Sequence, residues 1–221
     1  MTLIISKPEI VPFNHAVLPN ISWQTYQAML ADMGDRRSIR LSYDHGVLEI
    51  KMPLGLHETV NYILERMIVA LTEELNLGIR GFGSTTLSRA DLAVGVEPDC
   101  CFYIQNSDRM NGRDIDLAND PPPDLVVEVD ITSPSKRRFP IYRDLGVPEI
   151  WRYSSSRICI YQLQANEYLE CEFSLAFPMV SGAILNQFLG QLAANDDNKL
   201  IREFRAWIRQ QSGIITNCQS G

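Results

Sequence analysis

Residues 124–130, Asp-Leu-Val-Val-Glu-Val-Asp, are an apolar run that carries acidic side chains at Glu128 and Asp130. Such a run predicts a central buried strand, yet a carboxylate is costly to bury unless it is paired, protonated or bound to a cation. Glu128 and Asp130 share one face because strand side chains alternate. Residues 97–99, Glu-Pro-Asp, precede another apolar run. If Asp99 lies on the neighbouring strand, three carboxylates converge. The sequence therefore predicts a hard-cation site of the kind that Mg²⁺ prefers and, with it, metal-assisted hydrolysis.

A structural explanation of the same carboxylates needs no metal. Asp99, Glu128 and Asp130 could lie at the edge of a sheet or form salt bridges with arginines. The apolar run before Glu128 speaks against a solvated position, so the cost of burial favours the metal site.

Length and composition set broad limits on the protein. The chain has 221 residues, 45% of them apolar, which suits one well-buried domain with or without extensions. No apolar run approaches the roughly 18 residues of a membrane span, and no secretory signal is evident, so we expect a cytoplasmic protein without a membrane partner. The net charge of −7 argues against a broadly basic nucleic-acid-coating surface but allows a local basic patch. Five cysteines without a CxxC pair indicate neither a disulfide framework nor a zinc site.

The order of the predicted elements indicates an α/β (α+β) domain with a central mixed β-sheet flanked by helices. Residues 1–20 are predicted to form an N-terminal arm, 21–195 the domain, and 196–221 a C-terminal helix and tail packed on the domain or extending from it. Residues 105–123 are predicted to form an exposed polar loop that contacts substrate or a second subunit. Helices are predicted at 22–33, 56–76, 133–145, 182–193 and 198–210, and strands at 38–43, 47–52, 79–83, 85–88, 98–104, 125–129, 149–153, 157–163 and 167–173.

Several motifs, taken in order, resemble the putative restriction endonuclease family of the PD-(D/E)XK nuclease superfamily. They lie at residues 53–58, 97–99, 122–130, 133–135 and 142–151, and the resemblance spans about residues 20–195. It implies a single restriction-endonuclease-like domain with a phosphodiesterase site that depends on Mg²⁺ or Mn²⁺. It also implies a nucleic-acid substrate, with DNA favoured over RNA. It implies a homodimer as well, because two-fold symmetry suits the cleavage of two strands.

The resemblance assigns the metal ligands residue by residue. Asp99 and Glu128 would hold the ion through their carboxylates, and Val129 through its backbone carbonyl. Glu58, in the first turn of the long helix, would be a further ligand. Its charge equally suits the positive end of the helix dipole, so both interpretations of Glu58 stay open.

Asp130 departs from the superfamily pattern, which has a lysine two residues after the acid. Asp130 cannot supply positive charge, although its position allows it to be an extra metal ligand. Lys136 or Arg138, from the following helix, could supply the missing charge; arginine would stabilise the transition state but could not act as a base. Lys136 and Arg137 could also contact phosphate at the helix N-terminus, or belong to an ordinary solvated basic cluster.

These observations favour a divalent-metal-dependent endonuclease that hydrolyses phosphodiester bonds in DNA. Because Asp130 stands in place of the expected lysine, a catalytically inactive interaction module with the nuclease fold is the first alternative. A metal-dependent hydrolase of another phosphate substrate is the second.

Overall fold

The structure is a computed structural model that describes residues 15–34, 39–52, 55–83, 85–110, 114–130 and 135–218, with the backbone alone for 55–57, 212 and 214–218. Its larger sheet has six strands: β4 (Arg80–Phe82), β7 (Cys100–Tyr103), β8 (Leu125–Asp130), β9 (Glu149–Ser154), β10 (Arg157–Gln164) and β11 (Glu167–Cys171). Their order in the sheet is β11-β10-β9-β8-β7-β4. The β8–β9 pair is parallel and the other pairs are antiparallel, so the predicted mixed sheet is confirmed.

A second sheet is antiparallel and has five strands: β1 (His15–Leu18), β2 (Arg40–Asp44), β3 (Val47–Lys51), β5 (Leu87–Arg89) and β6 (Val94–Val96). Their order in the sheet is β1-β3-β2-β6-β5. The strands predicted at 38–43 and 47–52 are β2 and β3, and they form a hairpin. Both turn residues have positive φ, 44° at His45 and 97° at Gly46, as a tight two-residue hairpin requires. Sequence reasoning did not separate this sheet from the larger one, since two of its strands are only three residues long.

The helices follow the predicted pattern closely. They are α1 (Trp23–Met33), α2 (Gly55–Glu74), α3 (Phe139–Asp144), α4 (Gly182–Leu189) and α5 (Asp197–Cys218). The Ser22 hydroxyl caps α1 by accepting a hydrogen bond from the Thr25 amide at 3.1 Å. A 3₁₀ turn, Ser135–Arg138, precedes α3 in place of the predicted continuous helix, and Pro140 gives the reason because it lacks the amide proton that an α-helix would use there. The first two residues of the helix predicted at 133–145 lie outside the described residues.

Three layers enclose the core. Helices α2, α4 and α5 pack on one face of the six-stranded sheet, where the main apolar cluster lies. The smaller sheet and α3 pack on the other face, with a second apolar cluster between them. The C-terminal helix α5 belongs to this body, because Arg205 and Arg209 lie 3.0 and 2.7 Å from Glu74 of α2 and its apolar side faces the main core.

The N-terminal segment and the 105–123 loop are more closely integrated into the fold than their sequences indicate. Within the predicted N-terminal arm, the described residues 15–18 form β1 at the edge of the smaller sheet. The predicted exposed loop at 105–123 is wrong for Met110 and Leu117, which are buried. Leu117 packs in the second apolar cluster, and the side chain of Asp124 accepts hydrogen bonds from the Ile104 and Asn106 amides where the loop begins. Within the described residues, no helix combines the length and the apolar character that crossing a membrane requires.

Candidate active site

The two faces of β8 differ in chemistry. Leu125, Val127 and Val129 join the main apolar cluster beneath the helices. Glu128 and Asp130 point to the opposite face, toward the smaller sheet and α3, and both are buried. Asp99 directly precedes β7, and the pairing of Cys100 with Val127 sets Asp99 beside Glu128. The two acids therefore lie side by side, although Asp99 stands one residue before its strand and not on it as predicted.

Asp99 is fixed by the backbone of β8. Its Oδ2 accepts a hydrogen bond from the Val129 amide at 2.7 Å. Only 3% of Asp99 and 1% of Glu128 is exposed, so each charge requires compensation within the protein.

Lys51, the last residue of β3, provides part of that compensation and was missed by sequence reasoning. Its Nζ lies 3.1 Å from the Val129 carbonyl oxygen, 3.3 Å from Asp99 Oδ2 and 3.9 Å from Glu128 Oε2. These are three of the four groups that the resemblance assigns as metal ligands; the fourth is Glu58. The side chain is buried with them although it belongs to the other sheet. Its alternation with apolar neighbours in a hairpin strand would have suggested an ordinary solvent-facing position.

Arg138 compensates the negative charge of Glu128. Its Nε and Nη2 donate to the two oxygens of Glu128 at 3.0 and 2.6 Å, which is a bidentate pair. Its Nη1 donates to Glu49 at 3.1 Å. Of the two cations proposed to replace the missing lysine, Arg138 is the one that reaches the acids, and it does so as an orienting group that is itself buried.

The electrostatics of this cluster reflect its burial. Burial raises the pKa of Glu128 and the nearby Asp99 adds to the rise, whereas Arg138 and Lys51 oppose it. Burial would lower the pKa of Arg138, but the charge and hydrogen bonds of Glu128 outweigh that effect and hold the pKa well above its usual range. Tyr142 donates its hydroxyl proton to Glu128 at 2.5 Å, and burial followed by the charge of Glu128 raises the pKa of Tyr142 well above its ordinary value.

Asp130 has a different set of partners. Its Oδ2 accepts hydrogen bonds from the Ser135 amide and hydroxyl, both at 2.7 Å, and lies 2.8 Å from Arg152. Its Oδ1 is 3.7 Å from Arg138. Asp130 thus links β8 to the 3₁₀ turn. Glu128 and Asp130 both pair with arginines, as the explanation without a metal expects.

The remaining predicted site residues lie at the surface. Lys136 and Arg137 are exposed on the 3₁₀ turn, and Lys136 Nζ lies 5.6 Å from the centre of the Tyr161 ring. Glu58 is exposed in the first turn of α2. Glu97, next to the site in sequence, bridges the smaller sheet: it accepts hydrogen bonds from the Leu41 amide at 2.7 Å and the Thr86 hydroxyl at 3.1 Å.

The donor atoms of the site suit a hard divalent cation. Two carboxylates and one backbone carbonyl point at a common position, and oxygen ligands of this kind are those of Mg²⁺ and Mn²⁺. Among the described side chains, no group of three or more His, Cys, Asp or Glu residues is placed to hold a metal. Any ion would therefore depend on the Val129 carbonyl and on two carboxylates that Lys51 and Arg138 now contact.

Comparison with known proteins agrees with this fold. Residues 23–195 match the model of the Uma2 family, described as "Putative restriction endonuclease", and the chain belongs to that family. The chain is also similar to a crystal structure described as a putative nuclease from Anabaena variabilis ATCC 29413, with a TM-score of 0.53 and 16% identity over 76% of this chain and 99% of the other. That likeness supports the fold. No curated protein gives a significant match.

Proposed function

We propose that this protein is a divalent-metal-dependent endonuclease that hydrolyses phosphodiester bonds in DNA. The observation that carries the proposal is the convergence of Asp99, Glu128 and the Val129 carbonyl around one buried lysine, at the junction of two sheets. This arrangement restores the acid-plus-lysine composition of the superfamily pattern, with the lysine supplied by β3 and not by the position that Asp130 occupies. Membership of the endonuclease family supports the same chemistry.

Each group has a distinct task in this proposal. Asp99, Glu128 and the Val129 carbonyl would hold Mg²⁺ or Mn²⁺, which supplies Lewis-acid polarisation of the phosphate and neutralises charge in the transition state. Lys51 would bring a positive charge and hydrogen-bond donors next to the ion and would stabilise the phosphate oxygens as negative charge develops on them. The bidentate contact of Arg138 and the hydroxyl of Tyr142 fix the orientation of Glu128.

The DNA backbone would be bound by the basic residues of the 3₁₀ turn. Lys136 and Arg137 are exposed there, ahead of Phe139, the first residue of α3. Contacts from such residues to phosphate oxygens position a duplex without reading its sequence. A local basic patch of this kind is compatible with the net charge of −7.

Plasmid cleavage with Mg²⁺ and with Mn²⁺ tests the proposal. The wild type should nick or linearise DNA, and Asp99→Asn and Glu128→Gln should each reduce the rate on the order of a hundredfold or more, because each removes charge from the ion's ligands. Glu203→Gln, an equal change at an exposed position of α5, is the matched control and should cleave like the wild type. Absence of cleavage by the wild type with either metal would contradict the proposal.

One observation favours a second candidate, a nuclease-fold interaction module without catalysis. Both acids already form ion pairs with cations of the chain itself, Lys51 with Asp99 and Arg138 with Glu128. Under this alternative the wild type binds DNA or another partner and cleaves nothing, and Asp99→Asn binds with the same affinity as the wild type.

The homodimer stays a prediction, and light scattering during gel filtration would measure the oligomeric state.

A further inference from the structure

The two cations that neutralise the acids are held in different ways. Arg138 makes a bidentate contact with Glu128 at 3.0 and 2.6 Å and a further contact with Glu49 at 3.1 Å, so its planar group is fixed on three sides. Lys51 has longer contacts, 3.1 Å to the Val129 carbonyl, 3.3 Å to Asp99 and 3.9 Å to Glu128. Lysine carries its charge on a flexible stem, whereas the arginine fork is rigid. Lys51 is therefore the cation that can be exchanged.

The ammonium of Lys51 lies where the proposed metal ligands converge. Mg²⁺ binds oxygen at about 2.1 Å, so an ion shared by these groups would overlap the space around Lys51 Nζ. The positive charges of the ion and of the Lys51 ammonium would also repel each other strongly at such close range in a buried site. The ion and the ammonium cannot hold this position together.

We propose that Lys51 is a built-in counterion for the metal position, and that a divalent cation binds by displacing its ammonium group. This role of Lys51 rests on the metal site of the proposed function. Without an ion, Lys51 neutralises the buried acids and lets the fold persist. When an ion binds, the same lysine is released to act on the substrate phosphate.

A small cavity lies beside Lys51 and gives the displaced side chain a direction in which to move. Its volume is about 10 Å³, close to the smallest space that holds one water molecule. It is lined by Lys51, Glu97, Arg138, Arg40, Leu41 and Ser42. An ammonium group that shifts into this space keeps one negatively charged neighbour, Glu97, whose charge it shares with Arg40 and Arg138.

Metal binding by Lys51→Met and Lys51→Gln tests the counterion role by a measurement that does not depend on cleavage. Titration calorimetry of the full chain with Mn²⁺ should show binding about tenfold tighter or more in both variants than in the wild type, because a competing unit charge is gone. Cleavage by the same variants should fall, so affinity and activity change in opposite directions. Lys199→Met removes the same charge from an exposed position on α5 and should leave the affinity unchanged.

The possible outcomes separate the counterion role from the proposed function. If the wild type binds Mn²⁺ and both variants bind it equally or more weakly, the counterion role is overturned while the metal site stands. If neither the wild type nor the variants bind Mn²⁺, both proposals fail. Lys51→Gln retains a donor for the Val129 carbonyl and guards against loss of folding in Lys51→Met. Melting temperatures give a second readout, since Mn²⁺ should raise them more in folded Lys51 variants than in the wild type.

Discussion

The two faces of β8 are equally buried but solve the problem of burial in opposite ways. Leu125, Val127 and Val129 face the helices and pack in an apolar cluster. Glu128 and Asp130 face the smaller sheet and are compensated by Arg138, Arg152 and Lys51. The first face gains stability from the removal of apolar surface from water. The second places charge in a dry environment, where electrostatic interactions are strong and geometry matters.

This difference separates stability from function along a single strand. An apolar layer tolerates changes in side-chain shape at a cost in packing. In an ion-paired layer, removal of one partner leaves a buried charge without its counterion and removes the group that the chemistry needs. Substitutions on the two faces should therefore have similar effects on folding and different effects on chemistry.

The largest expected effect is that of Glu128→Ala compared with Leu125→Ala. Glu128→Ala leaves the buried Arg138 without its main partner and should lower the free energy of unfolding by about 3–5 kcal/mol. Leu125→Ala opens a cavity on the helix face and should lower it by about 2–5 kcal/mol. Urea denaturation measures both. Only Glu128→Ala should abolish cleavage when both variants are assayed well below their melting temperatures; an equal drop in activity would refute the division between the faces.

The ion pair itself should show strong coupling. Arg138→Met alone removes the bidentate partner of Glu128 and a cation that contacts Glu49, and should cost about 3–5 kcal/mol of stability. The double variant Glu128→Gln/Arg138→Met should be destabilised by about 1–3 kcal/mol less than the sum of the two single variants. A double-mutant cycle in urea measures this coupling energy. Simple additivity would show that the bidentate contact between Arg138 and Glu128 contributes little to stability. The double variant should remain inactive, since stability alone does not restore the acid.

The smallest expected effect concerns the exposed basic residues. Replacing Lys136 and Arg137 together by alanine should change stability by no more than about 0.5 kcal/mol. DNA affinity should fall, and the slope of log K against log salt should become shallower by about 0.9 for each phosphate that these side chains no longer neutralise. Fluorescence anisotropy without divalent ions measures the slope. Arg202→Ala, at an exposed position of α5, is the control, and an unchanged slope in the double variant would remove these residues from the DNA interface.

Much of the fold followed from local patterns. The helix predicted at 56–76 is α2, and its apolar residues Val60, Leu64 and Leu71 recur at helical spacing on one buried face. The hairpin of β2 and β3 follows from its turn residues. The division into two sheets did not follow, because β5 and β6 are too short to carry a periodic signal. The buried parts of the 105–123 loop were also missed, since Leu117 belongs to an apolar cluster whose members come from several separate elements.

The sequence by itself determined that Asp99 and Glu128 lie in or next to buried strands, because strand periodicity and the cost of burying charge act locally. Only the tertiary structure decided which cations meet them. Lys51 is 48 residues from Asp99 and 78 from Val129 along the chain, and it reaches them because the smaller sheet packs over β8. Pairing across such separations depends on how the layers assemble, and no local pattern of residues encodes that assembly.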